Sequence, residues 1–272
     1  MDFVTTAERA APVAAPPTTH PTTRHIAGAG TPADVWQCWL ARMGVTRHTS
    51  PPWLTPAQRL VVVAPHPDDE VLACGGLLHG HLARGGEALV VAVTDGEASH
   101  PGDPEWPAPR LAEQRRAESA AGLLRLSAGR ALPVLRLGVP DGRVMRYAPR
   151  LQATLEALLQ PGDVALTTWR WDGHPDHEAC GAATVAAAAR QGCTVAEAPV
   201  WMWHWADTRD PLIPWARLCA VPVAPDSAAC KRHALALHAT QRTPRAGGLP
   251  PILEEAILQR AEWGAEYFFV EP

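Results

Sequence analysis

Several patterns that mark common protein classes are missing from this chain of 272 residues. It has no uninterrupted apolar stretch of about 18 residues, so a membrane-spanning helix is not expected. Its six cysteines are scattered without a C-x-x-C spacing, which predicts free thiols in a reducing compartment rather than a disulfide framework. No G-x-G-x-x-G follows the first predicted strand, and a dinucleotide site therefore has no support.

An excess of basic charge is missing as well. The formal net charge is -4, so the chain lacks the basic surface of a protein that neutralises phosphates, and nucleic-acid binding is disfavoured. The N-terminus carries Asp2 and Glu8 and has no charged segment followed by an apolar one, as a secretion signal would. A cytoplasmic location is the expectation.

The first part of the chain differs in composition from the rest. Residues 1–34 are rich in Ala, Pro and Thr and are expected to form a disordered or loosely packed arm. A short helix and a linker are expected over residues 35–57, followed by the main domain over residues 58–272. Trp36 and Trp39 begin an apolar pattern at helical spacing, which favours a helix that packs on the domain over one that recruits a partner.

Strand-like and helical segments alternate from about residue 60 onward. Such alternation predicts a parallel sheet with helices on both faces, joined by right-handed crossovers. A chain of this length can bury one sizeable core. We therefore expect an α/β fold, a Rossmann-like three-layer sandwich with a mainly parallel sheet. The strands are expected near 60–64, 88–94, 132–136, 163–167 and 195–201, and the helices near 72–84, 110–126, 149–159 and 176–190.

The most informative segment is V-V-V-A-P-H-P-D-D-E-V-L-A-C-G-G, residues 61–76. Its three valines predict a buried parallel strand, and its two glycines fall in the first turns of a following helix. His66 and Asp69 then lie in the turn between strand and helix. This turn is at the carboxyl edge of the sheet, where open α/β folds bind their ligands, so a pocket is expected there.

A second segment, W-R-W-D-G-H-P-D-H-E-A-C-G at residues 169–181, repeats this arrangement after another apolar strand. His174 and His177 are three residues apart, and both face the sheet edge when a helix begins near Pro175. Imidazole and carboxylate groups are ligands that zinc accepts, and two histidines with one carboxylate and an open fourth position are typical of catalytic sites. The spacing leaves open which of the two histidines binds the metal.

The motifs P-H-P-D-D-E and G-H-P-D-H resemble those of the LmbE-like zinc N-deacetylases, the PIG-L family, which remove acetyl groups from N-acetylglucosamine conjugates. The resemblance extends over about residues 58–270 in the order of the motifs. It implies a zinc ion held by His66, Asp69 and His177, and ferrous iron accepts the same ligands. Zinc in an open site lowers the pKa of bound water and polarises a carbonyl, which is what amide hydrolysis needs.

The same resemblance implies roles for two neighbours of these ligands. Asp68 corresponds to the general base, which takes a proton from water and delivers it to the leaving amine. The alternative is a carboxylate that bonds His66 or caps the helix. His174 corresponds to the histidine that stabilises the tetrahedral oxyanion. Asp176, between the two histidines of its motif, is expected to orient His174 through a hydrogen bond.

Four further residues are candidates for substrate contacts. Arg115 matches the arginine of the family's R-x-x-E pair, and an ion pair with Glu118 on the helix surface is the alternative. Asp141 lies in L-G-V-P-D-G-R, similar to a family segment that accepts bonds from sugar hydroxyls, although Pro-Asp-Gly also forms a turn by itself. Asp95 follows the second strand and is a candidate for lining the pocket. Asp172 stands where related enzymes often carry an aromatic hydroxyl, and it is expected to accept bonds from hydroxyl or ammonium groups.

Two further features are expected to be structural. Glu70 points into the first helical turn, where the helix dipole favours a carboxylate. Trp201, Trp203 and Trp205 alternate along V-W-M-W-H-W-A, which predicts one face of a strand. Core packing or an oligomer interface is favoured there over a stacking platform for a sugar or a lipid, so a homo-oligomer stays open.

These features favour a zinc-dependent N-deacetylase that acts on an N-acetylated amino sugar of a small glycoconjugate. Two alternatives remain. One is an amidase that cleaves a larger acyl group or the cysteinyl amide of a thiol conjugate, and the other is a metal-binding scaffold without catalysis. A scaffold needs no general base, so it is disfavoured by the complete set of His66, Asp68, Asp69, His174 and His177.

Overall fold

An eight-stranded sheet organises the part of the chain that the computed structural model describes, which is residues 30–48 and 51–271 with Arg24, Ile26 and Gly28. The arm expected over residues 1–34 lies mainly outside the described residues. The strands are β1 (Thr46–Arg47), β2 (Arg59–Ala64), β3 (Glu87–Ala92), β4 (Val134–Arg136), β5 (Val164–Thr168), β6 (Thr194–Ala198), β7 (Leu218–Pro222) and β8 (Ala265–Val270).

The sheet is mixed but mainly parallel. Its strand order is β1-β7-β8-β6-β5-β2-β3-β4, and among the described strands only β8 runs against its neighbours, β6 and β7. The run from β6 to β4 is parallel throughout, as expected when helices connect successive strands. The predicted α/β fold with a mainly parallel sheet is confirmed.

The four helices predicted within the main domain are all present, as α2 (Asp69–Ala83), α3 (Ala108–Leu126), α4 (Val144–Leu158) and α5 (Pro175–Gln191). Helix α4 begins at Val144, five residues before its predicted start at Pro149. This proline lies inside the helix and not in its first turn. The helices are α1 (Ala33–Met43), α2 (Asp69–Ala83), α3 (Ala108–Leu126), α4 (Val144–Leu158), α5 (Pro175–Gln191), α6 (Met202–Trp205), α7 (Pro225–Ala236), α8 (Ala239–Arg242) and α9 (Glu255–Ala261).

Apolar side chains are buried on both faces of the sheet. Along β2, Leu60 and Val62 belong to one buried cluster, and Val61 and Val63 belong to the other, as the two-residue period of a strand requires. Helices α2, α3 and α7 pack together over the first face, and α4 packs with α5 over the second. The result is the three-layer arrangement of a parallel sheet that is covered on both sides.

Three tryptophans after β6 do not share one face of a strand, contrary to the expectation. The strand ends at Ala198, and the segment that follows closes into the short helix α6, in which the N–H of His204 donates to the carbonyl of Trp201. Trp203 is buried against Trp36 of α1, with ring centroids 5.1 Å apart. Helix α1 therefore packs on the domain, as its spacing predicts.

Two further expectations concern the class of protein. Within the described part of the chain, no helix combines the length and the apolar character that crossing a membrane requires. All six cysteines are free thiols, in agreement with the absence of a C-x-x-C spacing.

The close contact between α5 and β5 generates a first prediction. A Cβ atom added at Gly181 would lie 2.7 Å from the backbone N of Arg170 and 2.7 Å from the backbone O of Thr168, and backbone atoms cannot turn aside. Gly181→Ala is expected to lower the free energy of unfolding by about 1–3 kcal/mol, as overpacking of a core does. Urea denaturation measures the change.

The matched control is Gly264→Ala. An added Cβ atom meets nothing within 4 Å at that position, so the free energy of unfolding should stay within about 0.5 kcal/mol of the parent value, as for ordinary surface changes. Equal effects of the two substitutions would contradict the proposed contact.

Candidate metal centre

The two sequence motifs lie side by side at one edge of the sheet. β2 pairs in parallel with β5, with Val63 opposite Thr167, so the carboxyl ends of both strands point the same way. The turn after β2 carries His66, and α5 begins at Pro175 after the neighbouring strand. The expected convergence at the sheet edge is therefore present.

The carboxylate of Asp69 joins the histidines of the two motifs. Its Oδ2 atom lies 3.2 Å from Nδ1 of His66 and 3.2 Å from Nε2 of His177. Burial by itself would raise the pKa of Asp69, but the charge and hydrogen bonds of His177 and His66 hold that pKa well below its ordinary value. Asp69 thus presents an ionised oxygen between two ring nitrogens.

The second ring nitrogen of His177 is held by another carboxylate. Nδ1 of His177 lies 2.8 Å from Oδ2 of Asp172, which leaves Nε2 directed at Asp69. Burial opposes the charged imidazole, but Asp69 and Asp172 outweigh it and raise the pKa of His177 to about 9. A carboxylate behind a histidine in this way fixes the ring orientation and is typical of histidines that bind metals.

Asp172 does not reach a substrate position, contrary to the expectation. It is 0% exposed, and its carboxylate also accepts hydrogen bonds from the backbone N–H groups of Val200, Trp201 and Met202 at 2.9–3.0 Å. With His177 these bonds use the whole acceptor capacity of a carboxylate. They also draw the backbone after β6 into a curve, which is why the alternating tryptophans do not extend the strand.

His174 is the residue that caps the N-terminus of α5. Its Nδ1 atom accepts a hydrogen bond from the backbone N–H of Asp176 at 3.2 Å. Its ring centroid lies 4.8 Å from that of His177 and 4.9 Å from that of His66. Burial, followed by the nearby charges of His177 and His66, lowers the pKa of His174 to about 3. The imidazole is therefore neutral and, with Nδ1 as acceptor, carries its proton on Nε2.

The carboxylate of Asp176 contacts His66 rather than His174, which corrects the expectation. Oδ2 of Asp176 lies 3.3 Å from Nε2 of His66, and the carboxylate accepts bonds from the backbone N–H groups of Gly142 and Val144 at 2.7 and 3.0 Å. Only the backbone of Asp176 holds His174. The side chain instead ties α5 to the loop after β4.

The carboxylate of Asp141 also approaches Nε2 of His66. Its Oδ1 atom is 3.2 Å from Nε2 of His66, and Oδ2 accepts a bond from the backbone N–H of Ala98. Burial would raise the pKa of Asp141, but His66 outweighs it and lowers that pKa to about 2. Carboxylates on both ring nitrogens raise the pKa of His66 well above its ordinary value despite the opposing effect of burial.

Asp68 is held next to Asp69 by the guanidinium of Arg115. Nη2 of Arg115 lies 3.4 Å from Oδ2 of Asp68 and donates to the carbonyl of Pro67 at 2.8 Å, while Nη1 donates to the carbonyl of Gly96 at 2.9 Å. The φ angle of Asp68 is 143°, a strained value for a residue with a side chain and one that often accompanies functional sites. Burial is the main reason that the pKa of Asp68 is raised to about 7.

The alternative interaction expected for Arg115 is not formed. Glu118 is buried and accepts bonds from the N–H and hydroxyl groups of Thr240, so it makes no surface ion pair with Arg115. Asp95 lies outside the cavity and pairs with Arg116 at 3.2 Å, contrary to its expected position in the pocket.

Glu70 has the structural position that its place in the motif predicts. Its carboxylate accepts bonds from the backbone N–H of Asp68 and from the hydroxyl of Ser119. Buried at 1% exposure, it connects the start of α2 to α3 and has no path to a substrate.

A cavity of about 470 Å³ opens beside these residues. His66, Asp68, Asp69, His174 and His177 form its polar end. Its remaining wall is mostly apolar and comes largely from segments that the sequence motifs do not point to, because such side chains carry no distinctive pattern. This wall includes Leu72, Val200, Trp201, Gln241, Arg245, Pro251, Ile252, Leu253, Ala256 and Ile257.

The donor set fits a divalent metal ion. In a tetrahedral zinc site with ligand distances of about 2.0–2.1 Å, neighbouring ligand atoms are about 3.3 Å apart, and both contacts of Asp69 measure 3.2 Å. The surrounding carboxylates outnumber the cationic side chains, which favours a dication. Five aspartates contribute to this charge: Asp68, Asp69, Asp141, Asp172 and Asp176.

Among the described residues, two groups of donor atoms lie within 4.8 Å of one another, and neither includes Asp69. One consists of His66, His174 and His177, and the other of His66, Asp141 and Asp176. We favour Asp69 over His174 as the third ligand because Asp69 contacts both of the other histidines, whereas Nδ1 of His174 is taken up by the helix cap.

Part of the chain matches a known protein family. Residues 61–188 match the model of the PIG-L family, described as GlcNAc-PI de-N-acetylase, and they include both motifs on which the resemblance was based. A curated relative is the 1D-myo-inositol 2-acetamido-2-deoxy-alpha-D-glucopyranoside deacetylase of Tsukamurella paurometabola. It is 32% identical over 163 aligned positions, which cover 48% of this chain and 54% of the relative. The chain thus spans about half the length of the curated relative that it matches.

Solved structures share the fold at lower sequence identity. The N,N'-diacetylchitobiose deacetylase of Pyrococcus horikoshii superposes with a TM-score of 0.58 and 18% identity, over 79% of this chain and 84% of that chain. The zinc-inhibited form of teicoplanin deacetylase gives a TM-score of 0.56 and 17% identity, over 78% and 97% of the two chains. These similarities extend the match from the PIG-L segment to the architecture of most of the chain.

The contact between Asp172 and His177 generates a prediction about metal affinity. Asp172→Asn removes the negative charge behind the imidazole while it preserves the shape of the side chain. We expect the affinity for zinc to fall by about 10–100-fold, the usual effect of losing such a partner. Competitive titration against a chromophoric chelator measures the affinity, and circular dichroism checks that the variant is folded.

Asp95→Asn is the matched control, because Asp95 pairs with Arg116 outside the cavity. Its zinc affinity should equal that of the parent protein. An unchanged affinity in folded Asp172→Asn would show that His177 does not depend on this carboxylate to bind metal.

Proposed function

We propose that this chain, whose residues 61–188 match the PIG-L family model, is a metal-dependent hydrolase that removes the acetyl group from an N-acetylated amino sugar. One observation carries the proposal: a metal-ligand set, a separate buried carboxylate and a neutral histidine meet at one end of a cavity. A nucleophile, a proton carrier and an oxyanion donor are the components that amide hydrolysis requires. The name of the curated relative, a deacetylase of an acetamido-glucopyranoside, supports the choice of substrate class.

His66, Asp69 and His177 would hold the metal. Zinc is our proposal for the ion, although ferrous iron accepts the same ligands. Bound at this set, it would polarise the amide carbonyl and lower the pKa of water. The protein's own part is to keep the ligands in place, with Asp172 behind His177 and with Asp141 and Asp176 behind His66.

Asp68 is the proposed general base. Its carboxylate is adjacent in sequence to Asp69 but is not one of the proposed ligands, and Arg115 holds Oδ2 from the side of α3. A proton from the attacking water is taken up on this carboxylate and is later delivered to the nitrogen of the leaving amine. Arg115 acts here as a positioning residue, since Nη2 and Nη1 also donate to the carbonyls of Pro67 and Gly96.

His174 is the proposed donor to the oxyanion. Because its Nδ1 accepts the N–H of Asp176, the neutral ring carries hydrogen on Nε2. This N–H stabilises negative charge as it develops on the carbonyl oxygen. Asp141, which lines the cavity, is the proposed acceptor for a sugar hydroxyl.

The cellular setting remains a prediction. Six free cysteines are typical of a reducing compartment, and we therefore propose a cytoplasmic location.

The proposed substrate is a small glycoconjugate. The test of the activity is acetate release from a panel of N-acetylglucosamine conjugates by zinc-loaded protein. Full metal content without acetate release from any member would overturn the deacetylase proposal in favour of another amidase or a scaffold.

Asp68→Asn tests the base. The variant should retain its metal, because the ligand set is complete, and should lose about 10²–10⁴-fold in kcat, since general-base catalysis contributes that much. Elemental analysis and acetate release on the same sample separate the two effects. Asp95→Asn again serves as the control and should keep parental turnover, whereas near-parental turnover of metal-loaded Asp68→Asn would assign the base elsewhere.

His174→Ala and His177→Ala are compared directly. His174→Ala should keep its metal and lose about 10²–10³-fold in kcat, as expected when one oxyanion donor is removed. His177→Ala should lose the metal itself. The opposite pattern of metal content would show that ligand and donor are exchanged.

A further inference from the structure

A smaller pocket adjoins the cavity of the candidate metal centre on its apolar side. Leu72, Val200 and Ile257 line both spaces, so side chains of one layer separate them. The smaller space has a volume of about 50 Å³. We call it the side pocket, defined by these three residues together with Arg260 and Trp263 at the end of α9.

The side pocket contains buried hydrogen-bond donors without acceptors. Arg260 is 8% exposed, and its Nη2 donates to the carbonyl of Thr31 at 3.0 Å. Its Nε and Nη1 have no partner among the described residues, and neither has Nε1 of Trp263, which is also 8% exposed. Buried polar atoms are nearly always paired. These donors therefore require a ligand that supplies hydrogen-bond acceptors.

The charges around the side pocket do not cancel. Its charged residues are Lys231, Arg260 and Glu266. The carboxylate of Glu266 is committed to Nζ of Lys231 at 2.7 Å and to the backbone N–H groups of Gly76 and Leu77 at 2.8 and 2.7 Å. Arg260 therefore remains as a buried cation, and burial lowers its pKa to about 10. A buried cation requires a counter-charge as well as hydrogen bonds.

Size and charge together select the missing group. A water molecule needs a cavity volume of about 10–15 Å³, and the side pocket offers about 50 Å³, which is room for a molecule of several heavy atoms. Water also satisfies donors but leaves the guanidinium charge uncompensated. A carboxylate supplies acceptor oxygens for such donors together with the negative charge that balances a guanidinium.

We propose that the side pocket binds a small carboxylate, acetate, through Arg260 and Trp263. The choice of acetate over other small carboxylates rests on the proposed function, because acetate is the acid that the deacetylation would release. The position of the side pocket behind Leu72, Val200 and Ile257 places this anion next to the reaction cavity. Arg260 is therefore assigned to the product and not to the metal or the sugar.

The test compares acetate-dependent stabilisation of the zinc-loaded parent protein and of Arg260→Met. A ligand that binds only the folded state raises the unfolding midpoint by an amount that grows with the ratio of its concentration to its dissociation constant. Acetate should raise the midpoint of the parent protein, and its affinity should be at least about tenfold weaker in Arg260→Met, since a hydrogen bond to a charged group contributes that much. Acetate bound at the metal affects both proteins equally, so the difference reports the side pocket.

Three controls make the outcome specific. Arg232→Met, on the exposed side of α7, should respond to acetate as the parent does. Acetamide, which has the same shape without the charge, and chloride at equal ionic strength should stabilise the parent less than acetate does. Equal stabilisation by acetamide would assign a neutral acceptor, and equal stabilisation by chloride would assign an anion site without selectivity for carboxylate. Either result overturns the proposal.

A second variant covers the case in which Arg260→Met does not fold. Trp263→Phe removes the indole N–H and reduces the ring volume while it keeps an aromatic side chain, so it should weaken acetate binding and abolish any acetate-induced change in tryptophan emission that arises at this site. Unchanged acetate affinity in the folded variants would overturn the inference.

The measurement needs no substrate, so its failure is distinct from failure of the proposed function. A protein that releases acetate from glycoconjugates but shows no Arg260-dependent binding overturns the side-pocket proposal alone. A protein that binds acetate through Arg260 but releases none overturns the deacetylase proposal and leaves the carboxylate site in place.

Discussion

The parallel pairing of β2 with β5 is the constraint on which the site depends. It sets Val63 opposite Thr167, and the chain leaves both strands at the same sheet edge. Two motifs that are about a hundred residues apart in sequence thereby contribute His66 and His177 to one centre, with Asp69 at 3.2 Å from each. The pairing is stable because β2 and β5 are buried on both faces by helices, so the edge geometry rests on a rigid core.

Electrostatic imbalance distinguishes the two spaces beside this edge. The candidate metal centre gathers more carboxylates than cations, and carboxylates such as Asp69 and Asp141 have lowered pKa values because of the histidines beside them. The side pocket has the opposite excess, carried by Arg260. Each imbalance is costly when it is left uncompensated in a buried site, and each therefore identifies a ligand of opposite charge. The wall of Leu72, Val200 and Ile257 keeps the two apart.

The sequence-based expectations were correct where the signal is local in the chain and wrong where a contact between distant segments decides the structure. Helices and strands of the main domain were predictable because their periodicity is local, as for α5 and β2. The tryptophans after β6 were misassigned because Asp172, from another part of the chain, accepts three of the N–H groups there and curves the backbone. The contact partner of Asp176 was misassigned because His174 is only two residues away in sequence. The fold instead places Nε2 of His66 at 3.3 Å from Oδ2 of Asp176.

The sequence alone determined the fold class and the residue types of the centre, because strand ends, helix starts and metal-binding side chains lie within short motifs. Only the tertiary structure decided how each side chain is used. Asp172 became the partner of His177 instead of a substrate contact because the fold surrounds it completely. The mostly apolar cavity wall and the unpaired Nε and Nη1 of Arg260 arise where α9 packs against segments distant in sequence, and no local pattern encodes such contacts.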